Sequence, residues 1–156
     1  HLTMVLFDAD NLDKLGPLGI ANYFIKAGLR GGGVSPSFLY RVTVELTYAH
    51  HAPRCLATKA GRKLAGKRAP ETIAFLKHFL DTIREDGLYD FTLEEVVFDD
   101  LPLDVVAPAC CDCGAKLSRR IWEVPGIKCS EIHLEHNCEA CGFRHELRFC
   151  RPRLIV

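Results

Sequence analysis

Phe7-Asp8-Ala9-Asp10-Asn11-Leu12-Asp13, running on through Gly16, Gly19 and Ala21 to Phe24, is the stretch on which the fold turns. Three carboxylates fall within six residues, flanked by apolar side chains. Carboxylates near a core are costly unless something cationic neutralises them, so a metal site or a phosphate-handling site is the natural reading. Two conformations compete. As a helix from Met4 to Leu15, the stretch puts Val5, Ala9, Leu12 and Gly16 on one apolar stripe and Asp10 with Asp13 on another face. As a buried strand from Met4 to Phe7, it presents Asp8 and Asp10 at the strand's carboxyl end.

The strand version resembles the D-x-D nucleophile motif of haloacid-dehalogenase-type phosphatases, with Leu12 where that family has Thr or Val. The helix version resembles more of the chain. Asp8-Ala9-Asp10-Asn11-Leu12-Asp13, with Gly16, Gly19-Ile20-Ala21-Asn22, is similar to the last metal-ligand helix and the following helix of HD-domain metal-dependent phosphohydrolases. One branch of that family reads roughly D-A-D-R-L-D-A-x-G-A-x-G-I-A-R. The likeness resumes between Leu56 and Glu85, where Ala60-Gly61-Arg62-Lys63-Leu64-Ala65 and Phe75-Leu76 fall where that branch has its closing long helix. It spans about the first 87 residues.

The HD resemblance implies a mainly α helical domain and metal-dependent hydrolysis of a nucleotide or related phosphate ester. Asp10 would be the last protein ligand of a divalent cation. Asp13 would orient ligand or substrate, and Asp8 would help hold a metal-bound water. The family's His and His-Asp ligands precede this Asp in sequence, and only nine residues precede Asp10 here, so they are expected upstream of a chain that is a fragment or a processed product. Asn22 stands where the family has Arg. Asp10 has a plainer reading as well, since an acid followed three residues later by another resembles a helix N-cap with an acidic first turn, worth about 1 kcal/mol.

The remaining N-terminal half reads as helix. Gly16-Pro17 breaks or re-aims the first helix, and a second runs from Leu18 to Leu29 before Gly31-Gly32-Gly33, a plain loop without the Lys-Ser/Thr of a phosphate-binding loop. Ser35-Pro36-Ser37 opens a helix to about Ala49 with Leu39, Val42 and Leu46 as its stripe, ended by His50-His51. From Ala57 to Asp86 the stripe is Ile73, Leu76, Leu80 and Ile83, widened by Phe75 and Phe79, with a kink or division expected at Pro70. Lys59, Arg62, Lys63, Lys67 and Arg68 read as a solvated face.

Charge divides the chain. Residues 1–87 carry 12 basic and 8 acidic side chains, residues 88–104 carry six acids and no Lys or Arg, and residues 105–156 carry 8 basic and 6 acidic. Residues 88–106 therefore read as an acidic connector, although Val96-Val97-Phe98-Asp99-Asp100 also resembles the final acidic motif of the haloacid-dehalogenase family. A net charge of zero and a hydrophobic content of 48% suit a globular chain without general attraction to nucleic acid. No apolar run approaches the roughly 20 residues of a membrane span.

From residue 107 onward the signal is cysteine. Cys110-Cys111-Asp112-Cys113-Gly114 and Cys138-Glu139-Ala140-Cys141-Gly142 form two C-x-x-C-G knuckles when Cys110 is taken as the first ligand, with 24 residues between Cys113 and Cys138. The two-residue spacing lets backbone amides point back at the sulfurs, and Gly accepts the positive φ of the tight turn. Four thiolates close a tetrahedral structural Zn site and imply a reducing compartment, the cytoplasm. With three strand-like runs, Lys116 to Val124, Lys128 to Asn137 and Arg144 to Cys150, and a turn at Pro125-Gly126, residues 107–156 resemble a zinc ribbon.

Cys55, Cys129 and Cys150 read as small buried residues, and Cys111 does not keep the ligand spacing. His133 and His136 flank the second knuckle beside a shell that four Cys complete. Trp122 with Arg119, Arg120, Arg148, Arg151 and Arg153 offers nucleic acid a basic, aromatic surface, and a docking face for a protein partner fits equally. A non-catalytic assembly subunit with a degenerate HD domain is therefore the rival of the hydrolase. An Asp10 that faces solvent far from any histidine would favour it.

Overall fold

The computed structural model of the chain describes residues 2–89, 91–99, 101–108, 113–126 and 129–152. Four helices come first among these: α1 (Leu2–Leu12), α2 (Gly16–Leu29), α3 (Pro36–Cys55) and α4 (Lys59–Glu85). Two antiparallel sheets follow, a hairpin of β1 (Phe91–Phe98) and β2 (Leu101–Pro108), and a three-stranded sheet of β3 (Ser118–Val124), β4 (Cys129–Asn137) and β5 (Arg144–Pro152) in the order β3-β4-β5.

The opening stretch is helical, so Asp8 is not at the end of a strand, and every strand pair among the described residues is antiparallel. α1 stops at Leu12 and α2 starts at Gly16, whose φ of +76° suits glycine. That break is tied down by α4. The Gly16 amide donates to Thr72 Oγ1 at 2.8 Å, and Arg68 Nη1 donates to the Leu12 carbonyl at 3.2 Å, which satisfies backbone groups that a helix end leaves open. Leu15, in the break, is buried with Ala49, Ala52, Leu56, Ala65 and Ala69.

Ser35 caps α3 by accepting from the Phe38 amide, and Thr58 caps α4 by accepting from the Gly61 amide at 2.9 Å. The expected stripes pack together. Leu39, Val42 and Leu46 of α3 meet Leu76, Leu80 and Ile83 of α4, with Phe91 closing the cluster and Ile73 half-buried beside it. Phe24 of α2 reaches Phe38, Phe75 and Phe79 at centroid separations of 5.6, 6.0 and 5.1 Å. Two boundaries differ from expectation. α3 runs past His50 and His51 to Cys55, and α4 continues unbroken through Pro70. Pro70 lies on the exposed side of α4, where water can take the carbonyl that loses its amide partner.

Residues 91–108, expected as part of a connector, instead form the β1–β2 hairpin. Phe98 pairs with Leu101, and Asp99 after Phe98 has φ of +47°, a left-handed conformation in which Asp is enriched. Burial decides the outcome over charge, because Phe91 and Leu103 are 3% and 0% exposed. Leu103 joins Tyr40 of α3 and Ile132 and Leu134 of β4 in one core cluster, with Val44, Val96, Phe98 and Ile121 packed around it. The cysteine-bearing sheet is thus continuous with the helices through shared apolar contacts.

Gly61 shows how tightly α1 and α4 meet. A Cβ there would collide with the Asp8 carboxylate and come within 3.1 Å of Thr58 Oγ1. Gly61→Ala is therefore expected to destabilise the chain by about 1–3 kcal/mol, read from chemical denaturation; a change below 0.5 kcal/mol would mean that the two helices separate at no cost.

Candidate metal centre and the acidic helix

The second knuckle follows β4 directly. The Cys138 amide donates to the Phe143 carbonyl at 2.8 Å and the Gly142 amide to the Cys138 carbonyl at 2.9 Å, with Gly142 at φ +80°. Gly114, after Cys113, has φ +71°, so both glycines adopt the conformation the knuckle spacing implies. These turns bring Cys113, Cys138 and Cys141 together with their sulfurs within 4.8 Å of one another, an arrangement that could hold a metal ion. None of the three is in a disulfide, and Cys113 Sγ lies 3.4 Å from Cys138 Sγ.

The sulfur chemistry fits a cation. A hydrogen bond from the Cys141 backbone, helped by Cys113 and the Ala140 backbone, pulls the Cys138 thiol down to about 7 against the opposing effect of burial. A thiolate is the form that ligates. Cys110 and Cys111 lie outside the described residues, so three of the four expected ligands are seen. His133 and His136 are not part of that group, and each has one ring nitrogen engaged elsewhere. His133 Nδ1 is 2.5 Å from Glu146 Oε1, and His136 Nε2 accepts from Arg119 at 3.3 Å. The Glu146 carboxyl is held below its usual range first by that His133 contact.

Of the residues expected to share one basic, aromatic surface, Arg120, Trp122 and Arg148 lie on one face of the sheet, since Trp122, His133 and Arg148 are register partners, and strand alternation puts Arg119 on the other. Arg119 turns toward the hairpin and pairs with Glu94 at 2.5 Å. Arg120 lies over Trp122 at 5.2 Å, and Trp122 stacks on His133 at 5.1 Å. Arg148 is held by Glu146 and Arg144 by Glu135. Arg153 lies outside the described residues.

The carboxylates of α1 separate by role. Asp8 is the one buried residue of the helix, at 3% exposure, whereas Val5 and Ala9, expected on the buried stripe, are exposed. Asp8 Oδ1 accepts from the Ala57 amide at 2.7 Å, and Oδ2 accepts from the Thr58 amide at 2.8 Å and the Thr58 hydroxyl at 2.5 Å. Its oxygens are spent on the start of α4, which corrects both the nucleophile and the water-holding expectation. Asp10 sits in the last turn of α1, so it is not an N-cap. Its side chain is 80% exposed, with Lys14 Nζ at 3.8 Å. Asp13 is exposed in the following turn.

A second polar group, missed in the sequence, lies where α1, α2 and α3 meet. Tyr48 donates to the Asn11 carbonyl at 3.0 Å, and Lys14 Nζ lies 5.3 Å from the Tyr48 ring centroid. Arg41 and Glu45 of α3 pair at 3.8 Å. Burial pushes the Glu45 carboxyl up, while Arg41, Lys14 and Lys26 pull it back. Only the four-residue spacing of Arg41 and Glu45 was visible beforehand. No family model, curated protein or solved structure matches the chain.

Proposed function

We propose that the chain belongs to a metal-dependent phosphohydrolase of the HD type, acting on a nucleotide or related phosphate ester, with Asp10 as a ligand of the catalytic cation. A structural Zn held by Cys110, Cys113, Cys138 and Cys141 completes the reading. One observation carries it. Leu2, Leu6 and Asp10 follow at steps of four on the side of α1 opposite the buried Asp8, with Asp13 in the turn just after the helix, and Leu2 and Leu6 are 73% and 61% exposed. Leucines in that register belong to a face made to be covered. Protein covering that face could bring imidazoles to a cation beside Asp10. A divalent ion so held lowers the pKa of a bound water and polarises a phosphoryl oxygen. In this reading Asp10 supplies charge and fixes the ion, and Asp13, one turn on, orients what binds.

The assembly-subunit reading has its own support, because Asp10 is exposed and pairs with Lys14. Metal-dependent phosphate release by the polypeptide in its full natural length separates the two. Asp10→Asn is expected to lower that activity by roughly 100-fold or more, beyond what loss of a ligand's supporting hydrogen bond does, with melting unchanged. Full activity and metal content in Asp10→Asn would hand the chain to the assembly reading.

A further inference from the structure

α2 reads Gly-Pro-Leu-Gly-Ile-Ala-Asn-Tyr-Phe-Ile-Lys-Ala-Gly-Leu, and Lys26 is its one charged side chain. A helix that is apolar on every side belongs inside a structure, yet this one is covered on one side only. Gly16 and Gly19 are buried, and Tyr23 and Phe24 pack against the core that α3 and α4 share. On the opposite side Leu18, Ile25 and Leu29 are 79%, 58% and 83% exposed, and Asn22 is exposed in line with them. These four follow at steps of four, three and four, the spacing of a seam between two packed helices. A single exposed leucine needs no explanation, but three large apolar side chains in one line do. Ala21 and Gly28, exposed along one flank of that line, leave room for a neighbouring backbone. The chain's own packing does not ask for glycine at position 28, since a Cβ there would meet nothing within 4 Å, and glycine inside a helix costs stability against alanine.

Charge at the two ends says what covers the line. Asp10 and Asp13 stand before the amino end of α2 with Lys14 beside them, and Lys26 and Arg30 stand at its carboxyl end, all of them exposed. Lys14 is paired with Asp10 at 3.8 Å, so the entry of the helix is acidic by Asp13 and its exit is basic. A fitting partner carries the same apolar line with the opposite charge at each end. α2 itself, turned about a two-fold axis, is such a partner. Antiparallel pairing sets Leu18 beside the partner's Leu29 and Asn22 beside the partner's Ile25, brings Arg30 to the partner's Asp13, and opposes the two helix dipoles. A parallel pair would put like charges together at both ends.

We propose that two copies of this chain associate through α2, antiparallel about a two-fold axis, with Leu18, Ile25 and Leu29 as the shared apolar seam. The inference does not depend on the phosphohydrolase reading. One 14-residue helix from each copy, about 21 Å long, covers less than the roughly 800 Å² per partner of a standard stable complex. The pair therefore comes apart on dilution.

Sedimentation velocity of the chain from micromolar to millimolar concentration reads the association directly. Wild-type protein is expected to pass from monomer to dimer within that range. Ile25→Glu sets a carboxylate at the middle of the seam and should weaken the dimer about a hundredfold or more, with helix content unchanged because the side chain is exposed in the single copy. Leu18→Glu gives the same reading at a still more exposed position, should Ile25→Glu fold poorly. Val97→Glu, at an apolar side chain of the hairpin that is 66% exposed, should leave the association as it is. Arg30→Glu should weaken the dimer several-fold, and Asp13→Arg added to the same chain should restore it, as the antiparallel arrangement requires. A monomer at every concentration, a dimer that survives both glutamates in the seam, or an Arg30→Glu loss that Asp13→Arg does not recover overturns the proposal.

Discussion

Cys138→Ser is expected to strip the metal from the chain and to unfold the three-stranded sheet while leaving most of the helical signal. Wild-type protein purified without added metal should carry about one Zn per chain, and the variant none. The size of the effect follows from what holds that sheet. Among its described side chains the buried apolar ones are chiefly Ile132 and Leu134, and part of their cover comes from Tyr40 and Leu103 outside the sheet. A structural Zn in a small module contributes an apparent ~10–16 kcal/mol, more than those contacts can replace. Cys138 is 2% exposed and its main chain closes the knuckle at both ends, so a Ser hydroxyl there loses a soft ligand without gaining a partner. The helices should survive because the clusters joining α3 to α4 contain none of the three cysteines. Cys55→Ser, in α3, is the control and should keep the metal. Unchanged metal content in Cys138→Ser would remove Cys138 from the ligand set and with it the structural-Zn reading.

Much of the fold could be read from period and punctuation. The stripes of α3 and α4 were legible because helices that bury one face repeat their apolar residues at steps of three and four, and Ser35, read as opening α3, does cap it. The strands β3, β4 and β5 were legible as strand-like runs beside the two cysteine pairs. What stayed hidden depended on partners distant in sequence. Nothing in Phe91 to Pro108 announces that Leu103 reaches Tyr40 and Ile132, so its five acids, with Asp90 before them, read as a connector. Likewise α1 looked amphipathic in the ordinary sense, with Val5 and Ala9 inside. Its buried position is instead the carboxylate of Asp8, because amides some fifty residues later need an acceptor. Residue type alone cannot tell a carboxylate that serves a backbone from one that serves a cation.

That distinction is open to direct measurement, since Asp8 and Asp10 differ by two positions and should respond very unequally to the same substitution. Asp8→Ala is expected to cost about 3–5 kcal/mol, because it leaves the Ala57 and Thr58 amides and the Thr58 hydroxyl without their shared acceptor and removes hydrogen bonds to a charged group worth roughly 1.5–3 kcal/mol each before relaxation. For a chain of this size that is a fall in melting temperature on the order of 10 °C. Asp8→Asn should recover little, since all three partners of the carboxylate donate and an amide nitrogen placed on one side accepts nothing. Asp10→Ala should cost no more than about 0.5 kcal/mol, the worth of an exposed ion pair at four-residue spacing. A double-mutant cycle with Gly61 then tests the geometry itself. If the methyl of Gly61→Ala is unwelcome because it strikes the Asp8 carboxylate, its penalty should shrink by 1 kcal/mol or more in the Asp8→Ala background, a coupling within the range of ~0.5–3 kcal/mol for residues in contact. Additive penalties would mean that Asp8 and Gly61 do not meet, and that the start of α4 is held by something other than this carboxylate.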